Sequence, residues 1–329
     1  MANVVTRRRA IAIFAAAAGL PLMRPARAAT HAVTWKGQAL GAPATLILHH
    51  EDRDKAQHLI DRVVSEVARL EEVFSLYRST SAISELNRVG GLAAPPADLV
   101  ALLETCHRHW HESGGAFDPT IQPLWALYRD HFSAPDADPD GPPAETIARE
   151  VGRVGFDAVR FNRDRIVFTR PGMALTLNGI AQGYVTDRVV SMLRDAGITS
   201  SMVDMGEGRA IGGQADGTPW RVGLADLQGA ERPDSVLDLI DRAVATSSPA
   251  GFHFDTARRF SHILDPRNGH ASASYRRLAV VAPDATTADA LSTVFSLADP
   301  DSIRSSLAGK PDIMVDLVLA SGEHRRYGS

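Results

Sequence analysis

Ser201-Met202-Val203-Asp204-Met205-Gly206-Glu207-Gly208 is the stretch whose reading decides the fold class. Four residues of strand character run into a glycine turn, and residues 209–211, 220–224, 236–240 and 243–246 continue as short strands. Upstream, residues 33–35 and 44–48 predict two strands around the Gly41-Ala42-Pro43 bend. Residues 53–73 carry apolar side chains at helical spacing, and 98–111 do the same. Residues 158–161, 166–168 and 174–177 predict further short strands before a helix that runs to Asp195. Helices and strands are partly segregated along the chain instead of alternating strictly. That pattern predicts an α+β fold, not a doubly wound sheet.

The 329 residues include 44% apolar residues, enough for one full core or two closely packed units. Arg7-Arg8-Arg9 precedes an apolar stretch over 10–23, and Ala26-Arg27-Ala28 offers a small-x-small cleavage site. Residues 1–28 are therefore expected to be a cleaved export signal, of the twin-arginine type that carries folded proteins. The apolar run is short of the ~20 residues that span a bilayer, so a membrane-spanning chain is not expected. Removing 1–28 takes five arginines and no acid, leaving 30 basic against 39 acidic residues, which argues against nucleic acid as a partner. Cys106 is the sole cysteine, so no internal disulfide forms and no lipid-anchor cysteine follows the signal. A periplasmic location is expected. Prolines 135, 139, 142 and 143 among aspartates mark an exposed excursion at about 133–144, within a single domain over 29–329.

Two stretches carry the chemistry. Ser261-His262-Ile263-Leu264-Asp265-Pro266-Arg267-Asn268-Gly269 reads as a strand ending in a turn, which brings His262 and Asp265 to a chain reversal. Ala288-Asp289-Ala290-Leu291-Ser292-Thr293 reads as a helix start, with Asp289 and Thr293 stacked on one helix face. A carboxylate and a hydroxyl on one face suit magnesium or calcium, with phosphate oxygens completing the shell. The same residues also fit a plain helix first turn, where the macrodipole favours Asp and Thr bonds back to a carbonyl.

Other chemistries lack their patterns. His107, His109 and His111 alternate along a helix and cannot share a face, so they do not make a zinc site. Neither a phosphate-loop Gly-Lys-Ser/Thr nor Gly-x-Gly-x-x-Gly occurs, and Gly-x-Ser-x-Gly is missing as well. What remains is a set of separated turns able to converge on a phosphorylated ligand with a divalent ion.

In sequence order, blocks 74–87, 115–124, 178–187, 261–269 and 288–293 resemble the periplasmic FAD:protein FMN transferases of the ApbE family. The resemblance implies an α+β fold related to the T-fold, with mixed or antiparallel sheets, packed helices and a ligand cleft between lobes. It implies magnesium-dependent transfer of FMN from FAD to a threonine of an exported or membrane redox protein, with release of AMP. The acceptor threonine lies in a short Ser/Gly/Ala-rich motif in such partners. Magnesium-dependent FAD pyrophosphatase activity and non-enzymatic flavin binding are the alternatives.

By the same resemblance, Asp289 and Thr293 are side-chain metal ligands and Ala181 supplies a backbone carbonyl. Tyr77, Ala116, Phe117, Asp118, Asn178, Tyr184 and Ile263 match FAD contacts, and Leu40 stands at an apolar contact where the family often has methionine. His262 matches a histidine near the phosphates, as base for the threonine proton or as charged partner of the pyrophosphate. Three positions depart from the family: Asn178 replaces aspartate, Gln182 replaces lysine and Glu207 replaces glycine.

Overall fold

The computed structural model describes residues 11–14, 31–225 and 233–328. The first strand, β1 (Ile11–Phe14), falls within the expected export signal; the rest of that segment lies outside the described residues. A hairpin of β2 (His31–Ala39) and β3 (Ala42–His50) leads to α1 (Arg53–Phe74), α2 (Ala82–Val89), β4 (Gly91–Ala93) and α3 (Ala97–Glu112). Then come α4 (Gln122–Ser133), α5 (Ala144–Val151), β5 (Val159–Phe161), β6 (Arg165–Phe168) and α6 (Ala181–Asp195). The remaining elements are β7 (Ser201–Asp204), β8 (Gly208–Ile211), β9 (Trp220–Leu224), β10 (Ser235–Leu239), β11 (Ala243–Ser247), β12 (Tyr275–Ala282), α7 (Ala285–Phe295), α8 (Pro300–Ser306), β13 (Met314–Leu319) and β14 (His324–Tyr327).

Eight strands form the main sheet in the order β14-β13-β12-β11-β8-β7-β3-β2, and every pair is antiparallel. Strand alternation sorts its side chains to two faces. Leu46, Leu48 and Val203 pack with α1 and α6, and Leu278 and Val280 pack with α7 and α8. Ile47, Met202, Val244 and Ala279 point the other way, onto Trp220, Val222 and Leu237 of the small sheet β1-β9-β10. The structure is thus the expected α+β class, with sheets that are antiparallel throughout.

Helix α1 shows how local chemistry sets an element. Asp52 caps it by accepting from the amides of Asp54 and Lys55. Its apolar residues Leu59, Ile60, Val63, Val67 and Leu70 recur at three- and four-residue steps and are buried, each worth about 1.5–3 kcal/mol if fully removed from water.

Two expected strands do not form as such. Residues 174–177 join no sheet, and Asn87 takes the place of a partner strand: its amide donates to the Leu175 carbonyl at 2.8 Å and accepts the Leu175 N–H at 2.7 Å. Residues 261–264 make only isolated bridges, His253 to Ser261 and Leu264 to Ala271, since they pair with loops. The third correction concerns Asp289. It sits in the second turn of α7, whose start is capped by Asp284 accepting from Thr287 N–H, so the macrodipole does not account for its place. Residues 134–143 connect α4 to α5, where the proline-rich excursion was expected.

Candidate active site

Helices α6 and α7 form the frame of the site. Gly183 lets them touch: a Cβ there would lie 2.3 Å from the Ala285 carbonyl oxygen. At that crossing the Gly183 N–H donates to Asp289 Oδ2 at 3.0 Å, holding the buried carboxylate against the first turn of α6. Gly179 has the same role for the hydroxyl, because a Cβ there would lie 2.8 Å from Thr293 Oγ1. Asp187 locks the pair further along. Its carboxylate accepts the Ala285 and Thr286 amides at 2.9 and 2.8 Å, accepts the Thr286 hydroxyl, and pairs with Arg209.

The Asp289 carboxylate, the Thr293 hydroxyl and the backbone at Ala181 therefore lie at one helix crossing. Among the described residues no three His, Cys, Asp or Glu side chains gather as a metal cluster. An all-oxygen donor set with a single carboxylate fits magnesium, which shares its shell with phosphate and water. It does not fit zinc, which takes nitrogen and sulfur.

A second wall brings His262. Its Nδ1 lies 3.0 Å from the Phe252 carbonyl, which only accepts, so Nδ1 carries a proton and, in the neutral ring, Nε2 is the acceptor nitrogen. A run of serines ties this wall to α7. Ser261 Oγ donates to Ser272 O, Ser272 Oγ to Ser296 O, Ser296 Oγ to Ser292 O, and Ser292 Oγ to Asp289 O, all within 3.0 Å. Ser292 Oγ also meets Ser247 Oγ of β11 at 2.8 Å. The histidine segment and the carboxylate helix are thereby joined through buried and half-buried hydroxyls.

The third wall is the turn at 116–121 with α4. Burial pushes the Asp118 carboxyl above the usual carboxylate range, against the pull of its hydrogen bonds from Thr120 and Phe156. Asp118 Oδ1 accepts the Thr120 amide and hydroxyl and Oδ2 accepts the Phe156 amide, so this side chain is engaged in building the turn. Phe117, Ile121, Trp125, Ile263, Leu264 and Pro266 make the apolar part of the cleft. Trp125 stacks on Phe252 with centroids 6.1 Å apart.

These walls line one cleft that opens to solvent. Ala116, Phe117, Asp118, Asn178, His262, Ile263, Asp289 and Thr293, separated widely in sequence, all line it. Leu40 and Tyr77 stand beside the lining residue Ala42. Leu40 and Gly41 both have positive φ, 49° and 78°, making the tight turn of the β2–β3 hairpin, and Gly41 faces the Tyr77 ring at 3.8 Å. Ala181 is buried behind Asn178, Gly179 and Gln182, which do line the cleft. Tyr184 is not brought to it. Its ring packs edge-on against Phe74, and its hydroxyl donates to Asp98 Oδ1 at 2.7 Å, in a network with Arg69, Arg188 and Glu66. Trp125, Thr246 and Ser247 line the cleft without having been singled out in the sequence. A strand ending in Thr246-Ser247-Ser248 before Pro249 was the available signal, since small hydroxyls at a strand end suit a polar ligand.

The α+β frame thus presents one cleft with an apolar end and a hydroxyl-rich end, lined in common by His262, Asp289 and Thr293. The chain belongs to the ApbE family, whose profile matches residues 40–315. It is 29% identical over 258 residues to the FAD:protein FMN transferase of Treponema pallidum, covering 71% of this chain and 69% of that one. Against the Vibrio cholerae FAD:protein FMN transferase it is 30% identical over 252 residues, covering 74% and 73%. The ApbE protein of Thermotoga maritima superposes with a TM-score of 0.80 at 24% identity, over 90% of this chain and 97% of that one. The apo flavinyl transferase ApbE of Pseudomonas stutzeri gives 0.75 at 24%, over 94% and 97%.

Proposed function

We propose that the cleft binds FAD with magnesium and transfers its FMN half to a threonine of an exported or membrane-bound redox protein. The observation that carries this reading is the meeting of His262, Asp289 and Thr293 in one cleft, within a family whose relatives are named for that transfer. In the step, the acceptor threonine Oγ bonds to the phosphorus nearer the flavin. The bond from that phosphorus to the bridging oxygen breaks, and AMP leaves with the bridging oxygen. The threonine proton passes to His262 Nε2, the nitrogen left as acceptor by the Phe252 contact.

Asp289, Thr293 and the Ala181 carbonyl hold the cation, which when bound neutralises charge on the phosphoryl oxygens. The apolar wall of Phe117, Trp125 and Ile263 receives the tricyclic ring, and Tyr77 at the rim covers it. Export by the twin-arginine route and a periplasmic site of action belong to the same proposal; they are supported by Arg7-Arg8-Arg9 and the apolar run that follows. No described helix is long and apolar enough to cross a membrane.

The test is incubation with FAD, magnesium and a threonine-containing acceptor domain, read by intact mass of the acceptor and by free AMP and FMN. An acceptor that gains the FMN mass while AMP appears is the expected result. Free FMN and AMP with an unmodified acceptor would replace transfer by hydrolysis, and bound, unchanged FAD would make the protein a flavin carrier.

A further inference from the structure

Among the described residues that line the cleft there is no lysine and no arginine, whereas three carboxylates, those of Asp118, Glu207 and Asp289, are present. Asp118 is taken up by its own turn and Asp289 belongs to the cation site. Glu207 is the remaining acid, and it is fixed in place. Its backbone carbonyl accepts the Thr186 hydroxyl at 2.9 Å, its Oε2 accepts the Thr246 N–H at 3.2 Å, and only 7% of the residue is exposed. Gly206, before it, lies under Gln182, because a Cβ there would meet the Gln182 amide at 2.5 Å. A pyrophosphate entering this cleft meets the held Glu207 carboxyl group and, among the described lining residues, no lysine or arginine.

We propose that dinucleotide and divalent cation occupy this cleft only as one unit, and that Glu207 sets the coupling by disfavouring the metal-free dinucleotide. The inference rests on the flavin-transfer reading. Like charges in a partly dehydrated cleft repel strongly, and a divalent cation between them converts the repulsion into attraction on both sides. Coupling is reciprocal, so FAD raises the affinity for magnesium by the factor by which magnesium raises that for FAD.

The experiment titrates the full chain with FAD, with riboflavin as the phosphate-free control, in excess magnesium or in EDTA, and reads flavin fluorescence. FAD affinity is expected to fall by about 100-fold in EDTA, near the upper range of such couplings, while riboflavin shows no metal dependence. Glu207→Gln keeps an acceptor for the Thr246 amide and removes the charge, so metal-free FAD affinity should rise by about 10-fold and the coupling shrink accordingly. Gln182→Lys supplies a fixed cation and should shrink the coupling independently. Equal FAD affinity in magnesium and EDTA, or a coupling undiminished in Glu207→Gln, overturns the inference. Absence of FAD binding in both solutions removes the flavin reading itself, which tells the two failures apart.

Discussion

In the proposed reaction Asp289 carries two roles, a structural bond to Gly183 and a charge for the cation, and the two can be separated. Asp289→Asn keeps an oxygen for the Gly183 N–H and removes the charge that would hold the cation. Thermal stability should change by less than ~1 kcal/mol, whereas magnesium-dependent turnover should fall by about two orders of magnitude or more. Full activity in that variant, measured against magnesium concentration, would remove the metal assignment. Tyr77 is 59% exposed, so Tyr77→Ala should leave the melting temperature nearly unchanged and weaken FAD binding by about 10-fold through lost ring contact. Unchanged FAD affinity would return this ring to the solvent-facing surface. The gathering of Ala116 to Asp118, Asn178, His262 and Asp289 in one cleft was legible, because they sit in short blocks of distinct composition. The turn of Tyr184 toward Asp98 was not, since an aromatic on α6 can face either way. The choice was made by Arg69 and Arg188, distant in sequence: although burial opposes the charge on Asp98, hydrogen bonds from Tyr184 and Arg69 hold its carboxyl below the usual range.

At the scale of elements, the serine run makes α7 the link between the histidine wall and the proposed cation site. Ser296→Ala removes the hydroxyl that donates to Ser292 O but keeps the Ser296 carbonyl that accepts from Ser272 Oγ; Ser272→Ala breaks the link to the histidine segment itself. Ser272→Ala should therefore lower turnover by about 10-fold with FAD affinity held, and Ser296→Ala should do less, since a displaced catalytic group costs rate before it costs binding. Equal losses of turnover and affinity in the Ser272 variant would mean that the serines shape the whole cleft and not the histidine alone. Helix α1 and the strands around Gly206 were readable from periodicity and turn chemistry. The segment 174–177 misled because its strand character is real while its partner is a single Asn87 side chain, and no local pattern announces that. Similarly, the start of α7 was read three residues late because Ala285 to Thr287 lack an apolar rhythm, and the informative residue was Asp284 as cap.

Across the whole molecule, the far end of the main sheet is held by charge. Asp316 on β13 and Arg277 on β12 are both fully buried and pair at 2.9 Å, while Arg326 and His324 of β14 reach the other carboxylate oxygen and Asp234 meets Arg277 at 3.1 Å. Burial opposes ionisation of Asp316, but hydrogen bonds from Arg326 and the Arg277 charge outweigh it and hold its carboxyl below the usual range. Stability from this group is therefore complete above the ordinary unfolded value, about 3.9, and is lost as pH falls through the lower folded value. Asp316→Ala should cost about 3 kcal/mol at neutral pH by leaving Arg277 with Asp234 alone, and should flatten the acid limb of a denaturation-against-pH series. An acid limb identical to the parent's would show that other carboxylates govern it. The main sheet has one more consequence, for synthesis. Its halves come from opposite ends of the chain, as Thr45 on β3 pairs with Asp204 on β7 while β12 to β14 arrive last, and the cleft draws on residues from 42 to 293. A ribosome must therefore release the chain at least through Thr293 before this cleft exists, so a shorter nascent fragment has no complete pocket to offer a ligand.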